Sequence, residues 1–431
     1  FFSRLMADSG QPAPPPGPVS LDRDLFRQTK TYLGVRVPTK ECGSVVKVLG
    51  RNKLQGKGKL RPVLEDPEDS ARRIVLLDVA VQENLPETVA QLIKERGLEV
   101  VEHKVELGYE QMTADEVLRQ VIPAGIPVPS SFEQVGHIAH LNLKAAHEPY
   151  KFVIGQVLLD KIPSLRTVVN KLGTIETEFR EFNMELLAGV DDFVTEVRQH
   201  GCIFRFDYSK VYWNSRLQTE HIRLASLFNP QDAVYDVMAG IGPFVIPAAQ
   251  RGVRVVKGND LNPNAYKAMQ ENVVLNKVHL DTFNMDGREF ITHVIQTYMN
   301  PQSEAFVGAS GPGKDGEDSP TTHHFTMNLP ALAITFLDAF AQLDELPHIQ
   351  KPVIHVYCFS KSADPAKESV QQVEAVIGRP LPADCLIGSH DVRNVAPGKE
   401  MMCVSFRYPP PAPSAAAAPD EQLSKRQKLS E

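Results

Sequence analysis

From residue 233 the chain settles into an alternation that few folds accommodate. "AVYDVMAG" is an apolar strand ending in glycines, and "GPFVIPAAQRG" reads as a helix closed by Gly252. "VRVVKGNDLN" is a strand, and "PNAYKAMQENVVLNK" is a helix with Pro263 in its first turn, where a missing N–H costs nothing. "DTFNMDGREF", "HFTMNLP", "PVIHVYCFS" and "MMCVSFRYP" read as further strands. Strand–helix alternation of this kind requires a parallel sheet covered on both faces, so the fold class is α/β.

The 431 residues are long enough for two or three domains. "RRIVLLDVA", "LPETVAQLIKERG" and "LEVVEHKVELGYE" give a small N-terminal α/β domain over 21–122. "PAGIPVPSSFEQ" at 123–134 is a Pro/Gly/Ser-rich connection. A middle domain over 123–225 carries β-like pieces: "HIAHLNL", "GQVLLDK", "RTVVNKLG", "MELLAG" and "CIFRFDYSKVYW". "SRLQTEHIRLASLF" has helical spacing and leads into the third domain, 226–410, which holds an insert near 299–322. The segments 1–20 and 411–431 are expected to be disordered.

The net charge of −7 argues mildly against a nucleic-acid partner, but phosphates respond to local patches. "KVLGRNKLQGKGKLR" at 47–61 holds six basic residues and no acid. By itself such a run is equally a solvated loop. The five cysteines are scattered without a CxxC pair, which points to a reduced compartment and no structural zinc. No apolar run is long enough to span a bilayer, so no membrane partner is expected. "FFSRLMADSG" is compatible with the tail of a mitochondrial presequence, and "KRQK" is a nuclear-signal candidate. The expected compartments are therefore the mitochondrial matrix and the nucleus or cytoplasm.

The glycine-rich turn "DVMAGIGPF" lets a ligand approach the backbone closely. A dinucleotide fingerprint would need a third glycine where Val245 stands, and Asp236 would repel a pyrophosphate. An acid before the turn suits a ligand with a positive amino-acid end, S-adenosylmethionine. Asp260 follows about 20 residues later, where an acid commonly bonds ribose hydroxyls. Asp286 ends the third strand, placed for an adenine amino group. Each acid alone is ordinary loop chemistry, but three at successive strand ends form a pattern. Donor contacts are expected from Asp236, Met238, Gly240, Gly242, Asp260, Leu261, Asp286, Gly287 and Asn328. In "NLP", Asn328 offers a donor and an acceptor to a planar base, and Pro330 stiffens a turn beyond the ladder. No cysteine lies at 325–335, so cytosine-C5 chemistry is not expected of this site.

"FREFNMELLAG", "DYSKVYWNSRLQTEHIRL", "DVMAGIGPF", "DLNP" and "NLP", in that order, resemble the tRNA guanine-37 N1-methyltransferase family over about residues 21–410. The resemblance implies a class I S-adenosylmethionine fold, a Rossmann-like sheet preceded by two smaller domains that grip tRNA. It implies Glu220 as general base, Arg180 as stabiliser of charge on guanine O6, and Asn328 and Pro330 beside the reacting base. Trp213 stands where the family often has Phe or Tyr. Lys53, Lys57, Lys59, Tyr212, Trp213 and Arg216 are the expected RNA contacts, reaching the anticodon stem-loop and outer body of tRNA. No metal is expected, and the protein is expected to act as a monomer. Without the resemblance, Glu220 reads as a surface helix carboxylate and Arg180 as a partner of Glu181 or Glu185; Asp207 is the next candidate base. A wybutosine-pathway aminocarboxypropyl transferase, a catalytically dead RNA-binding scaffold and a protein methyltransferase are the rival readings.

Overall fold

In the computed structural model, which describes residues 19–54, 60–79, 84–172, 183–306 and 322–411, contacts divide the chain into two units. One runs to Leu172 and includes Asn183–Asp192; the other is built from Phe193 onward. The 123–225 span read as one domain is thus divided at Asp192.

The first unit contains two four-stranded sheets. Strands β1 (Gln28–Pro38), β2 (Val63–Glu65), β3 (Arg72–Leu76) and β4 (Glu99–Leu107) lie in the antiparallel order β2-β3-β1-β4. Helices α1 (Cys42–Leu49) and α2 (Glu87–Arg96) pack Val45, Leu49, Val89 and Leu92 on Val35 and Val37. Helix α3 (Ala114–Val121) opens with a capping box between Thr113 and Glu116, a local signal that fixes its start. The second sheet is β5 (Glu133–Val135), β6 (Ile138–Leu141), β7 (Thr167–Leu172) and β8 (Asn183–Gly189).

"GQVLLDK" is not a strand. It lies in helix α4 (Lys151–Lys161), whose buried Val153, Ile154, Val157 and Leu158 recur at helical spacing once the window is widened upstream. Gly155 lets this helix close on β8, where an added Cβ would stand 2.6 Å from Leu187 Cβ.

The second unit begins with the hairpin β9 (Val194–Gln199) and β10 (Cys202–Asp207), followed by helix α5 (Gln218–Ala225). The main sheet comprises β11 (Ala233–Asp236), β12 (Val255–Asn259), β13 (Asp281–Phe283), β14 (His323–Met327), β15 (Val353–Ser360), β16 (Leu386–Ala396) and β17 (Lys399–Arg407). Helices α6 (Val245–Gln250), α7 (Pro263–Leu275), α8 (Gly287–Val294) and α9 (Pro365–Ile377) alternate with its strands. The order is β13-β12-β11-β14-β15-β17-β16.

The first five of these spatial neighbours run parallel, as the alternation requires, but β17 is antiparallel to both β15 and β16. The sheet is therefore mixed. A tight turn with Gly398 at φ +68° joins β16 to β17, and so short a connection dictates antiparallel pairing. The stretch "DTFNMDGREF" is a strand only over Asp281–Phe283; Gly287 onward is helical.

Period-two alternation gives the sheet two unlike faces. Tyr235, Val237, Phe325, Met327, Ile354, Val356, Val404 and Phe406 form an apolar face under α8, the 3₁₀ segment Ala333–Asp344 and α9. The intervening residues Asp236, Thr326, His355, Tyr357, Cys403 and Ser405 turn to the opposite face, and all are buried.

Candidate active site

The glycine-rich turn follows β11 and is fixed from three sides. Asp236 is fully buried, and its Oδ1 accepts from Met238 N at 3.2 Å. Asp260 Oδ2 accepts from Gly240 N at 2.7 Å, and its Oδ1 from Asn262 N at 2.9 Å. Asn259, also fully buried, gives its side-chain N–H groups to Val237 O and Met285 O and accepts from Met285 N, all at 3.0 Å. One amide thus ties the chain leaving β11, β12 and β13. Asn262 caps α7 through Asn264 N and donates to Lys210 O. Neither Asn259 nor Asn262 was among the expected site residues; the signal was an Asn on each side of "DL" at a strand end.

These strand ends border a cavity of about 210 Å³. Met238, Gly240, Asp260, Leu261, Asp286, Gly287, Asn328 and Pro330, all expected site residues, line it together with Tyr212. Gly240 has φ +56°, and a Cβ added there would meet nothing within 4 Å, so the cradle is open where a ligand would sit. Asp286 also caps α8, accepting from Arg288 N at 2.8 Å. Pro330 lies beyond the end of β14, and Leu329 O accepts from Ala333 N at 2.7 Å, so the turn costs no ladder bond.

Two expected donor contacts have other roles. Gly242, with φ +96°, points its Cβ position at Ile246 Cδ1, 2.9 Å away, and serves the turn rather than the cavity wall. Asp236 does not line the cavity. Its Oδ2 is buried without a hydrogen-bond partner, as is Oγ1 of Thr326, its paired neighbour on β14. Burial, with the nearby Asp260 charge, pushes the Asp236 carboxyl up to about 8 despite the Met238 N–H. Burial also raises the Asp260 carboxyl, opposed by its two backbone donors.

Glu220 is buried rather than a surface carboxylate, and it is not on the cavity wall. Arg223 donates to it twice, Nε to Oε2 at 2.6 Å and Nη2 to Oε1 at 2.7 Å. Tyr357 O–H donates to Oε1 at 2.6 Å, and burial holds that phenol well above its ordinary range, as a donor. His390 Nε2 is 3.6 Å from Oε2. Leu217, the residue before α5, does line the cavity. Asp207 is a turn former, accepting from Ser209 N and Oγ.

Among the expected RNA contacts, Tyr212 and Arg216 are exposed. Trp213 is not: it is 4% exposed and packs between Phe204 and Phe206, 5.7 and 5.1 Å away. Its large ring fills the seam beneath the hairpin, so it is a core residue. Lys53 donates to Gly50 O. Arg180, Lys57, Lys59, both chain ends and most of the 299–322 insert lie outside the described residues. No cluster of metal-ligating side chains occurs among the described residues.

Known proteins match this arrangement. The TRM5/TYW2 methyltransferase domain matches residues 195–308, and the TYW2 N-terminal domain matches residues 114–192. The two matches meet where the contacts divide the chain. The tRNA (guanine(37)-N(1))-methyltransferase of Batrachochytrium dendrobatidis is 40% identical over 451 residues, covering 97% of this chain and 94% of that protein. The human enzyme of the same name is 39% identical, covering 91% and 76%. Among solved structures, Trm5b from Pyrococcus abyssi superposes with a TM-score of 0.57 at 25% identity, covering 87% of this chain and 99% of that one. A complex of aTrm5 with tRNALeu gives 0.60 at 21% identity, covering 88% and 100%, and supports the fold.

Proposed function

The chain belongs to the tRNA (guanine(37)-N(1))-methyltransferase family, and from that premise we propose how its own residues carry a methyl group to N1 of guanosine 37, 3′-adjacent to the anticodon. The observation that carries the proposal is the shared wall. Open Gly240, carboxylates Asp260 and Asp286, and the Asn328–Pro330 turn border one cavity at the strand ends. S-adenosylmethionine, when bound, supplies an electrophilic methyl group. The residues fit it: Gly240 leaves room for the ligand, Asp260 retains free lone pairs for ribose hydroxyls, and Asp286 faces the same space.

Guanine N1 carries a proton and is a poor nucleophile until that proton leaves. The base must first quit its stack to present N1. Asn328 then offers both hydrogen-bonding senses to its edge, and Glu220 accepts the N1 proton. Arg223 and Tyr357 keep the Glu220 carboxylate oriented and occupied until the target base arrives. Glu220 therefore exchanges at least one of these partners for N1–H. Arg180 stabilises the charge that builds on O6. The N-terminal unit, with Lys53 in its basic stretch, holds the tRNA body through phosphates, the protein acts as a monomer, and the methylated base supports reading-frame maintenance.

The test is mass spectrometry of nucleosides from unmodified tRNA incubated with enzyme and isotopically labelled donor. Labelled 1-methylguanosine at position 37 is expected; an aminocarboxypropyl adduct or unlabelled RNA would overturn the reading. Glu220→Gln should slow single-turnover transfer about 10²–10⁴-fold with donor affinity little changed.

A further inference from the structure

Arg393 is the only cation among the described residues lining the cavity. The path of the chain puts it there. On β16, Asp391 pairs with Met402 but Arg393 pairs with Met401, so one extra residue is inserted opposite β17. Without that bulge Arg393 would share the face of Asp391 and Met402, the apolar core face. The bulge turns it onto the face of Met401, as such irregularities re-aim side chains beside active sites. Phe359, Met401 and Arg393 then form a row across β15, β17 and β16, and all three line the cavity.

The guanidinium is not consumed by the fold. Its Nε donates to the carbonyl of the next residue, Asn394, at 3.3 Å, and Glu400 is engaged by Asn394 instead. Position then selects the ligand. The carboxylates Asp260 and Asp286 follow β12 and β13, on one side of β11. Arg393 lies on the other side, four strand intervals from β11, which is about 19 Å at the usual spacing. It therefore stands over the half of the cavity away from the donor-binding turn. It is half-buried on an edge strand beside Val395, which is 41% exposed, and so belongs to the mouth rather than the floor. An extruded base enters such a cavity while its backbone stays at the mouth.

Resting on the function proposed above, we propose that Arg393 grips a backbone phosphate flanking the target guanosine and so holds the extruded nucleotide at the cavity mouth. A planar fork of N–H donors matches a phosphate in two-pronged fashion. Arg393 is thereby a positioning residue: it touches the substrate backbone and fixes where N1 lies, without handling the transferred proton.

The experiment combines protein and RNA changes. tRNA is assembled with a neutral methylphosphonate at the phosphate 5′ or 3′ of nucleotide 37, one at a time. Affinity and single-turnover methyl transfer are measured with the wild-type protein, Arg393→Gln and Arg393→Lys. One of the two neutral linkages should weaken wild-type binding or transfer by about ten- to a hundredfold, the range for a charged hydrogen bond. The same linkage should cost Arg393→Gln nothing further, and Arg393→Lys should retain part of the sensitivity. Which linkage shows the coupling identifies the phosphate. An equal penalty in wild type and Arg393→Gln would overturn the proposal. So would a loss of S-adenosylmethionine affinity in Arg393→Gln without RNA, which would assign the residue to the donor. A 7-deazaguanosine penalty that vanishes only in the variant would assign it to the base edge and also overturn it. Because coupling is read in tRNA affinity as well as rate, absence of 1-methylguanosine formation by the wild-type protein would refute the functional reading separately.

Discussion

Replacing Arg223 with Met should expose how strongly the resting enzyme holds its buried carboxylate. Glu220 is 4% exposed and the Arg223 side chain 26%. Removing one partner of a buried ion pair costs about 3–5 kcal/mol, because the remaining charge keeps its desolvation penalty. Partial exposure of Arg223 puts the expected loss near the lower end, about 3 kcal/mol. The Tyr357 bond survives in that variant and keeps Glu220 from being wholly unpaired. Glu220→Gln leaves Arg223 without its anion, but a quarter-exposed guanidinium recovers water, so about 1–2 kcal/mol is expected. The double variant removes both charges and should lose less than the sum of the single losses by about 1–3 kcal/mol, the usual range for directly bonded neighbours. Trp213 is the single tryptophan and is packed between Phe204 and Phe206, so its fluorescence during urea unfolding reports this unit. Additive losses, with Arg223→Met within about 0.5 kcal/mol of wild type, would refute the ion pair, since surface substitutions stay inside that range.

Gly240→Ala should cost only about 1–2 kcal/mol of stability, the strain of a left-handed backbone, while S-adenosylmethionine binding measured by calorimetry is largely lost. Gly287→Ala should instead cost about 1–3 kcal/mol by overpacking, because its Cβ would lie 2.9 Å from the Phe336 ring. Asn259→Asp turns two donors into acceptors facing Val237 O and Met285 O, and urea unfolding should show a loss of at least about 2 kcal/mol. The raised Asp236 carboxyl is neutral in the folded protein below about 8, whereas an unfolded one ionises in the ordinary carboxylate range. Its contribution is full in acid and is lost as pH rises toward 8. Asp236→Asn should flatten that decline when unfolding is followed across pH.

What could be read from the residues was whatever local chemistry decides. Pro263 at a helix start, glycines after an apolar strand and Asn-x-Pro beyond a ladder each have one economical conformation, and β11, α7 and the turn at 328–330 follow. The strand-end wall of the cavity was legible for that reason. Partners far apart in the chain were not. Nothing near Glu220 announces Tyr357, which is 137 residues away. Trp213 was expected to touch RNA, and aromatic rings serve cores and nucleic acids alike; only the hairpin above it decides. Arg393 was hidden twice, by an unrecognised strand and by the bulge that reverses its side-chain direction.

The edge formed by β16 has a further consequence for how the protein behaves in a crowd. Its pairing with β17 slips at three places over eleven residues, after Leu386, after Asp391 and after Asn394. A sheet edge is a template that another extended chain can copy, provided its open N–H and C=O groups keep an even rhythm. Here the rhythm breaks every few residues, so an incoming strand would lose alignment before it gained enough bonds to stay. At the opposite edge, β13 is only three residues long and offers too little length to copy. Both margins of the seven-stranded sheet are thereby poor nuclei for strand-to-strand aggregation, and at one of them the irregularity that protects the margin is the same one that aims Arg393.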